Sequence, residues 1–149
     1  MIDNNFKWCR EELEMTQEEL GKVLKVSRKT ISGWETAHDP IPLNKLIVFC
    51  NLYKYSIDFV LGLIRENTIY NKPINNDKVE IGKRLKEIRK SLNLSQEKFA
   101  NKCGLSQTTY SHYEIGQNLI TTTNIFAISK TYNISIEYIL GRSKKKTFK

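Results

Sequence analysis

Residues 95–114 read SQEKFANKCGLSQTTYSHYE, and this stretch decides the fold of the second half of the chain. Ser95 and Ser106 are small hydroxyl side chains of the kind that cap the first turn of a helix. Apolar residues follow each serine at helical spacing, and Gly104 lies just before the second serine, where the chain has to turn. The stretch therefore predicts two short helices that a tight turn joins at a steep angle.

The same pattern occurs a second time, 79 residues earlier in the chain. Residues 16–35 read TQEELGKVLKVSRKTISGWE, with Thr16 and Ser27 at the two capping positions. Alignment of residues 2–63 with residues 81–142 needs no gap and gives 16 identities in 62 pairs. Two copies are too few for a solenoid, so the repeat predicts two related compact domains.

The domain organisation follows from this repeat. We expect domain 1 at residues 1–63 and domain 2 at residues 81–142. Residues 64–80 have the Asn-rich composition of a linker, and residues 143–149 form a basic tail that we expect to be disordered when free. Each repeat carries five short segments of helical periodicity and no convincing alternation at period two. The sequence thus predicts an all-α fold with two tandem five-helix domains.

Composition excludes several classes of function. Of the 149 residues, 40% are hydrophobic, and no apolar run approaches the ~20 residues of a membrane helix. The first residues lack the regions of a signal peptide, so we expect a cytoplasmic protein and no membrane partner. Cys9, Cys50 and Cys103 lack metal-ligand spacing, which excludes a zinc site. No catalytic triad or phosphate loop is present, so we expect neither an enzyme nor a cofactor or small-molecule site.

Charge is divided unevenly along the chain. The net charge of +8 is the sum of −1 for residues 1–63, zero for residues 64–80 and +9 for residues 81–149. The two halves should therefore meet a polyanion very differently. The first half also has an acidic cluster, which is either a solvated helix face or a docking surface. Its members are Glu11, Glu12, Glu14, Glu18 and Glu19.

Both quoted stretches resemble the DNA-binding domain of the Cro and λ-repressor family. The resemblance rests on TQEEL at residues 16–20 with Ser27 and Trp34-Glu35, and on SQEKF at residues 95–99 with Ser106 and Tyr113-Glu114. It covers nearly all of both repeats. It implies that the third helix of each domain enters the major groove of double-stranded DNA by its N-terminal end.

The same resemblance implies which residues contact DNA. Those expected to face base edges are Arg28, Lys29, Ser32, Gln107, Thr108 and Ser111. Those expected on phosphates are Gln17, Ser27, Gln96, Ser106 and Asn118. The chemistry agrees, since Arg can donate to guanine through two hydrogen bonds and Gln can pair with adenine in the same way. Asp39 takes the place of Asn118 in domain 1 and should repel a phosphate.

An arginine on the first helix of each repeat completes the resemblance. In this family such an arginine pairs with the glutamate after the aromatic residue of the third helix. The pairs implied here are Arg10 with Glu35 and Arg89 with Glu114, and we expect both to be structural ion pairs.

Together these features predict a sequence-specific DNA-binding transcriptional regulator, a repressor of bacterial or phage type. Because Arg28-Lys29 differs from Gln107-Thr108, the two domains should prefer different half-sites. The alternative is that domain 1 is a dimerisation or partner-binding module. In that case a homodimer forms through domain 1, and only domain 2 binds DNA.

Overall fold

Side-chain caps set the start of most helices in the structure, a computed structural model that describes residues 3–148. Thr16, Ser27, Ser95 and Ser106 each accept a hydrogen bond from a backbone N–H in the first turn of the following helix. Thr16 also forms a capping box, because the Glu19 side chain accepts from the Thr16 backbone N–H. The quoted stretches therefore begin their helices at the predicted residues.

Ten helices lie within residues 3–148, and no strand does, which confirms the predicted all-α fold. The helices are α1 (Phe6–Glu12), α2 (Gln17–Leu24), α3 (Arg28–Glu35), α4 (Leu43–Tyr53), α5 (Ile57–Val60), α6 (Lys78–Ser91), α7 (Gln96–Lys102), α8 (Gln107–Glu114), α9 (Thr122–Tyr132) and α10 (Ile136–Ile139).

The chain divides into two compact units, unit 1 up to Asn71 and unit 2 from Lys72 onward. Unit 1 contains α1–α5 and unit 2 contains α6–α10. In the core of unit 1 the ring of Phe6 lies 4.8 Å from that of Phe49 and 5.9 Å from that of Trp34. All three rings are buried, so unit 1 has an aromatic core of its own.

Unit 2 is built around a second aromatic cluster. The fully buried ring of Phe99 lies 4.8 Å from Tyr110 and 4.4 Å from Tyr132. Gly82 brings α6 close to the end of α8. A Cβ at this position would collide with the backbone carbonyl oxygens of Tyr113 and Glu114, so only glycine permits this approach.

The fold of each unit extends beyond the 62 aligned residues. In unit 1 the backbone N–H of Ser56 donates to Asn67 Oδ1 at 2.8 Å. In unit 2 the backbone N–H of Ser135 donates to the carbonyl oxygen of Lys146 at 2.8 Å. Asn67 and Lys146 are again 79 residues apart, so the same return of the chain onto the last helix occurs in both units.

Two predicted boundaries therefore differ from the structure. The expected linker, residues 64–80, begins inside the packed end of unit 1 and ends in α6, whose cap Asp77 accepts from the N–H groups of Val79 and Glu80. The expected disordered tail is held to unit 2 at Lys146. Main-chain and polar contacts hold both segments in place. Such contacts need no apolar periodicity, so the sequence pattern does not reveal that the segments are packed. The prediction for Lys149 lies outside the described residues.

Candidate functional site

The turn between the second and third helices of each unit sets how closely the two helices pack. Gly104 takes φ +77° in unit 2, and Lys25 takes φ 60° at the matching turn of unit 1. A non-glycine residue in this left-handed region costs about 1 kcal/mol. In unit 1 a Cβ at Gly21 would lie 2.7 Å from the carbonyl oxygen of Val26, so α2 has no room for a side chain where the turn crosses it.

The inner side of α8 is anchored in the core by two tyrosines. Tyr110 is fully buried, and its hydroxyl donates to the Leu85 carbonyl oxygen at 3.3 Å. The hydroxyl of buried Tyr113 accepts a hydrogen bond from Asn124 Nδ2 at 2.8 Å. These contacts fix the rotation of α8 about its axis, and therefore fix which side chains it presents to solvent.

The outer side of α8 and α3 carries every residue expected to face base edges. Gln107 and Thr108 are exposed at the start of α8, and Ser111 is half-buried one turn later. The Ser111 hydroxyl donates to the Thr108 carbonyl oxygen at 3.0 Å. In α3 the exposed pair is Arg28 and Lys29, with half-buried Ser32 one turn later. The structure thus brings each set of three together at the N-terminal end of one helix.

A buried ion pair ties the end of α8 to α6. Arg89 Nε donates to Glu114 Oε2 at 2.6 Å, and Nη2 donates to Oε1 at 3.1 Å. Arg89 Nη1 also donates to the Leu94 carbonyl oxygen at 3.0 Å. Unit 1 repeats this arrangement with Arg10 and Glu35, joined by contacts of 2.6 and 3.1 Å. Both expected pairs are therefore present, in the two-pronged geometry that suits a guanidinium and a carboxylate.

Burial and hydrogen bonding act in opposite directions on Glu114. Its side chain is only 2% exposed, and this burial acts to raise the carboxyl pKa. Hydrogen bonds from Arg89 and Gln96 stabilise the charged form and outweigh the effect of burial, so the pKa lies below its ordinary value of 4.5. Glu114 is therefore ionised at neutral pH and depends on its donors.

Acidification should destabilise unit 2 through Glu114. Because the pKa of this carboxyl is lowered by folding, its contribution is complete above pH 4.5 and is lost as the pH falls through the folded-state pKa. Glu114→Gln lacks this titration, so the free energy of unfolding should fall less steeply on acidification than in the unmodified chain. Urea melting at a series of pH values measures this slope. Glu97→Gln, at an exposed position, is the control. If the unfolding free energy of the unmodified chain falls no more steeply with pH than that of Glu114→Gln, the assignment is contradicted.

Four of the five residues expected on phosphates have another partner in the structure. Gln17 Nε2 donates to Glu35 Oε1 and Gln96 Nε2 donates to Glu114 Oε1, each at 3.0 Å. Ser27 and Ser106 cap α3 and α8, and each hydroxyl also lies 2.9 Å from the threonine hydroxyl three residues later. The sequence indicated polar groups at these positions but not these partners.

The loop after the third helix differs most between the two units. Asn118 is exposed in the loop after α8. Asp39 takes the matching position in unit 1. A Cβ added to Gly33 of α3 would lie 2.7 Å from Asp39 Oδ2, so the Asp39 carboxylate packs beside α3. A negative charge therefore stands near the proposed reading side of unit 1 and has no equivalent in unit 2.

Sequence patterns do not identify Lys78 as a neighbour of Asn118 on the proposed DNA-binding side of unit 2. Lys78 Nζ donates to the Gln117 carbonyl oxygen at 3.2 Å, which places a cation beside Asn118. The Asn-rich composition of residues 64–80 places Lys78 in the expected linker, whereas the structure places it at the start of α6. The signal that could have found it is Asp77, a good N-cap directly before a helical pattern.

Neither a metal site nor a membrane span is present within the described residues. No group of three or more His, Cys, Asp or Glu side chains there could hold a metal ion. None of the helices in that part of the chain is long and apolar enough to cross a membrane.

A family comparison gives the class of the protein. A helix-turn-helix family model matches the chain twice, at residues 6–60 and 85–139. The chain belongs to the helix-turn-helix family. The predicted tandem arrangement of two Cro and λ-repressor type copies is therefore confirmed.

Several relatives are named as regulators. The chain is 38% identical over 64 residues to the cryptic phage CTXphi transcriptional repressor RstR of Vibrio cholerae, covering 43% of this chain and 57% of RstR. It is 32% identical over 66 residues to the transcriptional regulator ImmR of Bacillus subtilis, covering 44% of this chain and 52% of ImmR. The crystal structure of the restriction-modification controller protein C.AhdI from Aeromonas hydrophila matches with 31% identity and a TM-score of 0.41. The match covers 44% of this chain and 98% of the C.AhdI chain. The chain spans about half the length of the first curated relatives that it matches.

Proposed function

We propose that the chain is a sequence-specific repressor that binds an operator in double-stranded DNA and inserts the N-terminal end of α8 into the major groove. The observation that carries the proposal is the fixed, outward display of Gln107 and Thr108 on a helix whose other side is anchored by Tyr110 and Glu114. Occupation of the operator would block access by RNA polymerase.

The chemistry of the exposed side chains fits the edges of base pairs. The Gln107 amide can donate to adenine N7 and accept from adenine N6 through two hydrogen bonds. Thr108 and Ser111 can donate or accept, and the Thr108 methyl group can contact the methyl group of thymine. In α3 the Arg28 guanidinium suits guanine O6 and N7, so the two units would read different bases.

Phosphate contacts position the helix without reading sequence. Gln17 and Gln96 each have a second amide hydrogen that remains for a phosphate oxygen while the first is donated to the buried glutamate. Ser27 and Ser106 would redirect their hydroxyl hydrogens to phosphates. Lys78 at the start of α6 and Asn118 in the loop after α8 offer a cation and an amide close together in unit 2. The net charge of +9 on residues 81–149 favours all of these contacts.

A second candidate gives unit 1 a different role, as the dimerisation or partner-binding module. It is favoured by Asp39, which puts a carboxylate beside α3. It is also favoured by the larger number of large exposed apolar side chains on unit 1, five against three on unit 2 within the described residues; Trp8, Val48 and Leu52 are 50%, 44% and 55% exposed. Such exposed residues suit a homodimer contact better than a phosphate backbone.

Selection from a pool of random duplexes near physiological salt tests the proposal. The full-length protein is incubated with the pool, and the retained duplexes are sequenced. Two unlike motifs at a fixed spacing would support reading by both α3 and α8. One motif, or an inverted repeat of it, would support the second candidate. Retention without any motif would overturn sequence-specific binding.

Charge reversal in α3 separates the two candidates. We expect Arg28→Glu with Lys29→Glu to weaken binding to the selected duplex about tenfold, because two cations that face DNA become anions. Both side chains are exposed, so the fold should not change. Fluorescence anisotropy of a labelled duplex measures the affinity, and Lys7→Glu with Lys54→Glu changes the charge of unit 1 equally. An affinity equal to that of this control would assign DNA reading to unit 2 alone.

A further inference from the structure

The basic C-terminal segment, residues 142–146, is packed along α6 rather than free. The Arg142 guanidinium is 1% exposed and lies 3.2 Å from Glu137 Oε1, which is fully buried. Ser135 N–H donates to the Lys146 carbonyl oxygen at 2.8 Å, and Lys146 Nζ donates to Ser91 Oγ at 3.1 Å. These contacts hold the segment in place at both ends, so the lysines between them have fixed positions.

The segment follows α6 over two turns and collects lysines on one surface. Its beginning lies at Arg84, because a Cβ at Gly141 would lie 2.6 Å from the Arg84 guanidinium carbon, and its end lies at Ser91. Lys72 Nζ donates to the Gly141 carbonyl oxygen at 3.1 Å. We call this the lysine surface: Lys72, Lys144, Lys145 and Lys146.

The acidic side chains of this surface do not cancel its charge. Glu80 pairs with Lys83 at 3.3 Å, and Glu87 lies on the exposed face of α6. Glu80 is balanced by Lys83, so four lysines against Glu87 leave a net charge of +3. Glu137 is buried and already paired with Arg142, so it adds nothing to the field outside.

The lysine surface lies on the side of α6 away from α8. Successive helix residues are rotated by about 100°, which puts Arg84 and Ser91 roughly 140° and 160° around the axis from Arg89. Arg89 and Gly82 both contact the end of α8. DNA held by α8 therefore leaves the lysine surface uncovered.

Unit 1 lacks the equivalent surface. The positions that match Lys144, Lys145 and Lys146 are Arg65, Glu66 and Asn67. The lysine surface is thus not a requirement of the shared fold, since the same backbone arrangement exists in unit 1 with a different charge.

We propose that the lysine surface binds the phosphates of a second DNA segment, so that one molecule holds two duplexes at once. The inference rests on the proposed function, because α8 has to hold the first duplex. The surface contains none of the large exposed apolar side chains of the described part of unit 2, which are Val79, Leu92 and Ile115. Protein interfaces need an apolar centre, whereas a phosphate backbone needs spaced cations alone.

A two-duplex capture experiment tests the inference. The duplex selected from the random pool is fixed to beads, the protein is bound, and a labelled duplex without the motif is added. The chain carries Arg28→Glu and Lys29→Glu in every arm, so α3 cannot supply the second contact. Lys144→Gln with Lys145→Gln should weaken capture of the second duplex about tenfold or more and lower its log–log salt slope by about 1.8. Binding to the bead-bound duplex should not change.

The control arm carries Lys7→Gln with Lys54→Gln, which removes the same charge from unit 1. Equal loss of capture in both arms would overturn the inference, because total charge alone would then explain it. Capture that is abolished by an excess of single-stranded RNA but not of duplex DNA would reassign the surface to RNA and overturn it too. Failure of the protein to bind the bead-bound duplex would refute the proposed function instead, so the two failures are distinguishable.

Discussion

Arg89→Ala should lower the free energy of unfolding of unit 2 by about 3–5 kcal/mol. The substitution removes the cation and leaves the Glu114 carboxylate, only 2% exposed, without its main donor. A buried charge that loses its partner costs far more than the pair contributes, because water cannot replace the missing hydrogen bonds. Gln96 would still donate to Glu114 Oε1, but an amide carries no charge to balance the carboxylate.

The position of the two tryptophans makes this effect measurable in the full chain. Trp8 and Trp34 are the only tryptophans, and both lie in unit 1. Tryptophan fluorescence during urea melting therefore reports unit 1, whereas far-UV circular dichroism reports helices of both units. Arg89→Ala should shift the circular dichroism transition of unit 2 to lower urea and leave the fluorescence transition unchanged.

Two further variants complete the test of Arg89. Lys90→Ala changes an exposed cation on the same helix and should shift the transition very little. Arg89→Met combined with Glu114→Leu removes both charges and should recover most of the lost stability, because no unpaired buried charge remains. A melting curve of Arg89→Ala that superimposes on that of Lys90→Ala would show that the ion pair is not structural.

The sequence predicted those parts of the fold that local chemistry decides. Ser95 and Ser106 begin helices because their hydroxyls satisfy backbone N–H groups of the first turn, and a cap is visible in sequence. Tyr110 and Tyr113 are buried because their spacing puts them on one side of α8. The outward placement of Gln107 follows from the same periodicity.

Contacts between distant residues were not predictable in the same way. Arg142 donates from Nε to the Lys72 carbonyl oxygen, a residue 70 positions away, and no pattern in a lysine-rich segment indicates such a partner. The same holds for Gln96, whose sequence position predicts a phosphate contact but does not indicate the hydrogen bond to Glu114 that the fold provides. Polar residues have several possible partners, so their partners are decided by the three-dimensional fold.

Gln107→Ala should weaken binding to the selected duplex by about 1–3 kcal/mol, or roughly 5- to 150-fold. The side chain is exposed at the start of α8, so its loss removes a contact with a base and leaves the core intact. Binding to a duplex without the motif should stay the same, because phosphates dominate that affinity. Repeated selection with the variant should show relaxed preference at a single base pair.

Asn118→Ala provides the matched contrast within the same unit. Asn118 is exposed in the loop after α8 and is proposed to contact a phosphate, which has the same chemistry in every sequence. Its removal should weaken binding to the selected duplex and to a duplex without the motif by the same factor. Fluorescence anisotropy with both duplexes measures the ratio of the two affinities. A ratio that falls with Asn118→Ala and stays constant with Gln107→Ala would exclude the N-terminal end of α8 as the reader of bases, because only a residue that touches a base can change that ratio.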